Sequence, residues 1–179
     1  FEEDDVTTIT GDQFLGNQIS DAIRTFGGEP LAGDLVLVYL VAKGDWDTLT
    51  LGDGVMTLDV FLDELRMSLA TNDVVVLCDI DWSGGPGESI DRRLENLPRQ
   101  WAFVVPNAEG SPRPSEGEAT LFSKAIAGIM RGGNSERGHL TLERFIDRLL
   151  DEMEERAGTN VSPEKYGYFT PNITMVERE

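Results

Sequence analysis

The stretch Asp73-Val-Val-Val-Leu-Cys-Asp-Ile-Asp-Trp-Ser-Gly-Gly85 constrains the fold more than any other part of the chain. Its Val/Leu run shows no polar alternation, which is the pattern of a strand buried on both faces of a parallel sheet. The run stops at two acids, a Trp and the Gly84-Gly85 pair, which predicts a turn at the strand's C-terminal end. Open α/β sheets place their sites at such ends. A second apolar run, Leu35 to Leu40, is bounded by Gly33-Asp34 and Lys43-Gly44 and predicts another central strand.

Between the two runs the period changes. Thr48-Leu-Thr-Leu51 and Val55-Met-Thr57 flank Gly52-Asp53-Gly54, the signature of a small hairpin. Thr57 then caps a helix over Leu58 to Ala70, with Phe61, Leu62, Leu65 and Leu69 on one face. A strand, a helix and a strand in that order imply parallel pairing through a right-handed crossover. Upstream, Val6 to Ile9 reads as a short strand, and Thr10-Gly-Asp12 caps a helix that carries Phe14, Leu15, Ile19, Ala22, Ile23 and Phe26. Downstream, Glu88 to Leu97 reads as a short helix, Trp101 to Val105 as a strand and Asn107 to Pro114 as a loop. Glu116 to Met130 reads as a helix stopped by Gly132-Gly133. Thr141 caps a further helix in which Leu142, Phe145, Ile146, Leu149, Leu150 and Met153 repeat at i, i+3, i+4, i+7, i+8. Ile173 to Val176 reads as a last edge strand.

The motifs at the strand ends carry a family resemblance. Leu77-Cys78-Asp79-Ile80-Asp81-Trp82-Ser83-Gly84-Gly85 resembles the "LDACHSGG" segment of caspase-like and metacaspase-like cysteine peptidases, with Asp81 at the position of the nucleophilic Cys. Asp34-Leu-Val-Leu-Val-Tyr-Leu-Val-Ala-Lys-Gly-Asp45 is similar to the family's "DLVLVYYSGHGD" strand, with Lys43 at the position of the catalytic His. Weaker matches run in the family's order: Asn17-Gln-Ile-Ser-Asp-Ala-Ile23, Leu121-Phe-Ser-Lys-Ala-Ile126, Leu140-Thr-Leu-Glu-Arg-Phe145 and Asn160 to Gly167. The resemblance spans about Asp12 to Val176. It implies a three-layer α/β/α sandwich with a mostly parallel central sheet, and one domain over 1–179 that lacks the family's first strand and helix. Phe1-Glu-Glu-Asp-Asp is not an initiator sequence, which agrees with a chain that begins inside a longer polypeptide.

A cysteine peptidase attacks with a thiolate activated by an imidazole. A carboxylate at 81 is a weak nucleophile toward peptides, and a lysine ammonium at 43 has no lone pair with which to take a proton. The resemblance therefore implies a pseudo-protease with no catalytic residue, in which Lys43 and Asp81 form an ion pair where the dyad would stand. Asp79 matches the acid that helps form a specificity pocket in the metacaspase-like branch; with Trp82, Ser83, Gly84 and Trp46 it marks a possible peptide-binding rim. A strand-end Asp that accepts bonds from nearby loops, and Trp residues that simply pack, are the plainer readings of the same positions. Cys78 falls inside the apolar run and reads as a core group with an unreactive thiol, and His139 as a surface loop residue.

The net charge of -18 opposes binding to nucleic-acid phosphates or anionic membranes. One Cys rules out an intrachain disulfide and one His a His-rich metal site, and no cofactor is expected. With neither a charged leader nor a membrane-length apolar run in the sequence, the default expectation is a soluble, reducing, cytoplasmic setting. The Asp-rich rim of 45, 47, 53, 79 and 81 is compatible with a divalent cation such as calcium, a weak signal because it lacks the spacing of a calcium loop, and no metal site is assigned. The expected function is binding: a regulator, adaptor or scaffold with a protein partner, either a caspase-like protease or a second copy joined through the last strand. Two alternatives stand beside it. One is an active peptidase with a differently registered or partner-completed site; the other is a substrate cut at the Asn107–Pro114 or Gly132–Gly138 loops.

Overall fold

Val74 to Asp79 are all buried, as a strand covered on both faces requires. In the computed structural model of the protein, β5 (Asp73–Asp79) lies between β1 (Leu35–Val41) and β6 (Trp101–Pro106) and runs parallel to both. β8 (Pro163–Tyr166) adds to β6 in the antiparallel sense, giving the order β1-β5-β6-β8. The described residues are 8, 16–27, 34–44, 48–69, 73–80, 93, 101–106, 119–132, 140–157, 163–167 and 174–176.

Alternation along each strand sorts the core into two layers. Val74, Val76 and Cys78 of β5, with Trp101, Phe103 and Val105 of β6, face α1 (Gly16–Gly27) and α2 (Leu58–Ser68). Val75, Leu77, Ala102 and Val104 face α3 (Leu121–Gly132) and α4 (Leu142–Ala157), where Phe122, Phe145 and Leu149 are fully enclosed. Each such side chain contributes about 1.5–3 kcal/mol through its removal from water. The three-layer α/β/α sandwich with a mostly parallel sheet is therefore the observed architecture. The Trp101 indole N–H is buried without a hydrogen-bond acceptor, so the packing of its ring outweighs an unmet donor worth about 1–3 kcal/mol.

The local signals in the sequence act as expected around α2. Thr57 Oγ1 accepts from Val60 N at 3.3 Å and starts the helix. The preceding hairpin is β3 (Thr48–Leu51) and β4 (Gly54–Thr57), with Gly54 at φ 153°, a conformation that a side chain would strain. β2 (Lys43–Gly44) joins the hairpin as a third strand. Asp53, at the hairpin's turn, accepts the backbone N–H of Gly16 at 3.1 Å and so caps α1 from a distant part of the chain. Thr141 likewise accepts from Arg144 N and opens α4.

Four expectations change. β1 is half-buried rather than central: Tyr39 is 44% and Val41 50% exposed, because among the described residues only β5 flanks it. The helix expected from Glu116 begins at Leu121, because Thr120 caps it there. Pro163–Tyr166, read as part of a signature and not as a strand, closes the sheet as β8. The last strand, β9 (Thr174–Val176), pairs with β7 (Leu140–Thr141) in a separate two-stranded sheet and not with the central one. The strand at Val6–Ile9, the loops at 107–114 and 133–139, and the helix at 88–97 lie outside the described residues, apart from exposed Thr8 and from Arg93, which pairs with Asp59 at 2.9 Å.

Candidate functional site

The C-terminal ends of β1 and β5 lie side by side. The parallel register runs from Leu35 opposite Asp73 to Val41 opposite Asp79, and Ala42 N then donates to Asp79 O at 3.2 Å. Lys43 and Asp81 each follow two residues after this last pair. Lys43 is exposed and turns into the small sheet with β3. Gly44 makes that turn possible, since a Cβ there would overlap the Thr48 carbonyl oxygen. Asp81, Trp82, Ser83, Gly84 and Trp46, and His139 as well, lie outside the described residues.

Cys78 and Asp79 are neighbours that point to opposite layers. Cys78 is fully enclosed in the α1/α2 layer, and burial, with Asp79's charge adding to it, pushes its thiol well above the ordinary range. A thiol held protonated in an apolar core is not a nucleophile. Asp79 faces α3 and is the one buried charged side chain among the described residues, 3% exposed. Thr120 and Ser123 donate their hydroxyls to its Oδ2, the latter at 2.5 Å. Tyr39 OH in turn donates to Ser123 Oγ at 2.6 Å, and Ser123 N donates to Thr120 Oγ1 at 2.9 Å.

Burial raises the Asp79 carboxyl above the usual aspartate value, and the bonds from Ser123 and Thr120 pull it back only in part. Tyr39 is raised as well, first by burial, with the Ser123 bond opposing and Asp79 adding. The arrangement holds one carboxylate at a sheet end, bound directly by the Thr120 and Ser123 hydroxyls and, through Ser123, by Tyr39. Thr120, Ser123 and Tyr39 were not among the site residues expected from sequence. The signal for the first two was the spacing Thr120-Leu-Phe-Ser123, a cap and its third helical residue, which the earlier helix start at Glu116 obscured.

No protein-family model and no curated protein matches the chain. Solved structures do. The chain is similar to the crystal structure of caspase-1 from Spodoptera frugiperda, with a TM-score of 0.64 at 14% identity, over 96% of this chain and 75% of that one. The fold is caspase-like. A structural-genomics protein from Geobacter sulfurreducens is equally similar, with a TM-score of 0.64 at 15% identity, over 93% of this chain and 78% of that one. Asp79 ends the second strand of this sheet, opposite Val41 in the parallel register. Among the described residues no three His, Cys, Asp or Glu side chains cluster, and no helix is long and apolar enough to cross a membrane.

Proposed function

We propose that this caspase-like domain is non-catalytic and acts by binding a protein, as a regulator, adaptor or scaffold. The observation that carries the reading is the placement of the only sulfur nucleophile in the chain: Cys78 is fully enclosed, and it faces the layer opposite Asp79. The exposed Lys43, two residues past the end of β1, where the resembling family has its base, points the same way. A charge of -18 favours a partner with a basic surface; a caspase-like protease or a second copy joined through the terminal strand are the partners that the resemblance suggests. A reducing, cytoplasmic setting belongs to the same proposal.

The test is to incubate the pure domain with an activity-based cysteine-protease probe and with peptide libraries. The expected result is neither labelling nor turnover. Turnover that disappears in Cys78→Ala would overturn the reading in favour of a cysteine peptidase, and turnover that persists in that variant would overturn it in favour of another nucleophile. Light scattering across a concentration series then separates a self-associating domain from one that waits for a different partner.

A further inference from the structure

Among the described residues, the direction of each side-chain hydrogen bond in the Asp79 cluster is dictated by one group. An ionised carboxylate can only accept, so Thr120 and Ser123 both spend their single hydroxyl protons on Oδ2. With its proton committed, Ser123 Oγ is left to accept from Tyr39. Thr120 Oγ1 accepts the Ser123 N–H, which is also the cap of α3. Donation therefore runs one way, from the half-exposed phenol through the serine to the buried acid.

A protonated carboxyl is itself a donor. For Ser123 to receive that proton, its own must swing away, and among the described side chains the oxygen already in line is Tyr39 Oη. Tyr39 must then turn its proton outward, which its 44% exposure permits. We propose that Asp79 is a proton-operated latch: one proton taken up in the buried layer reverses the Tyr39–Ser123–Asp79 chain and reports at the open face of β1 and in the first turn of α3.

The surroundings favour such a device. Asp79 is faced by Tyr39 from β1 and by the two hydroxyls from α3, while β6 presents buried apolar side chains and Cys78 is the neighbour on its own strand. Lys43, beyond the register pair of Asp79, and Lys124 on α3 are both exposed. Among the described residues no cation sits against the carboxylate to hold it ionised. The reversal also leaves the fold intact, because burial makes the folded state take the proton more readily than the unfolded chain does.

An NMR titration of the isotope-labelled domain from neutral to acid pH tests the latch. The Asp79 carboxyl carbon, the Tyr39 ring and the Ser123 amide are expected to share one midpoint, above that of an ordinary aspartate. Ser123→Ala is expected to abolish the step at Tyr39 while Asp79 still titrates. Asp79→Asn, whose amide does not ionise, is expected to abolish it everywhere. Tyr39 and Ser123 signals that stay flat while the Asp79 carboxyl titrates would overturn the proposal, as would a step at Tyr39 that survives Ser123→Ala. Should Asp79→Asn fail to fold, the wild-type titration and Ser123→Ala decide the matter.

Discussion

At the residue scale, two adjacent side chains on β5 have opposite fates because alternation sends them to opposite layers. Cys78 fills a small space in an apolar layer, and Ser at this position would bring a hydroxyl into it. Cys78→Ser is expected to destabilise the fold by about 1–3 kcal/mol in urea melts. Native Cys78 is also expected to resist iodoacetamide until the protein unfolds, since burial keeps both the reagent and the thiolate away. For Asp79 the sign follows from a raised folded-state value. The stability that it contributes is fully present below the unfolded aspartate value and is lost as pH rises through the higher folded one. Asp79→Asn removes that dependence. Relative to wild type the variant is therefore expected to gain stability as pH rises across this window, and a constant difference between the two melts across it would contradict the assignment.

At the element scale, the caspase-like frame depends on turns and caps as much as on strands. Gly44 lies where β2 and β3 approach too closely for any Cβ. Gly44→Ala must push the two strands apart, and the expected signature is faster amide exchange in β2 and β3 with little change in β5 and β6. Gly128 on α3 gives the contrasting case. A Cβ there would meet the Arg156 Nη2 and Glu152 Oε2 atoms at 3.1 Å, and these are the mobile ends of an i,i+4 ion pair on α4. Because those ends can swing aside, the helix-propensity gain of about 0.8–1 kcal/mol over Gly dominates, and Gly128→Ala is expected to leave the melting midpoint unchanged or raise it.

The elements also show what could be read in advance. Thr57 and Thr141 stand directly before strongly periodic helices, so the sequence marks both starts unambiguously. Ser115 and Thr120 are both capping residue types ahead of the same apolar run, and local pattern could not tell which would cap. The choice falls on Thr120 because its hydroxyl has a buried carboxylate to bind as well as a helix to begin. Pro163-Glu-Lys-Tyr166 has no strand periodicity in its sequence; it is a strand because it pairs antiparallel with the edge of β6 away from β5. The Asp53 cap on α1 joins residues 37 positions apart, a contact that no local rule encodes.

At the scale of the whole molecule, 33 acidic residues against 15 basic ones repel one another in any compact state. The described ion pairs, such as Arg24–Glu64 and Arg156–Glu152, lie at the surface, where each contributes at most about 1 kcal/mol. Screening should therefore help the fold more than it harms it. Raising the salt to about 1 M, where the Debye length falls to about 3 Å, is expected to raise the thermal midpoint, and a fall would show that specific ion pairs outweigh the general repulsion.

The sequence alone determined the buried strand β5, the strand β1 before it, their parallel crossover and the caps at Thr57 and Thr141, because apolar period and turn chemistry are local and act before any tertiary contact forms. The caspase-like order of elements was carried by motif resemblance. Only the tertiary structure decided that Cys78 and Asp79 serve different layers, that β1 stays half open, and that Tyr39, Ser123 and Thr120 converge on one acid. Those outcomes join β1, β5 and α3 across as many as 84 positions. A buried charge takes whichever donors the packed chain brings within reach, and the order of residues does not name them.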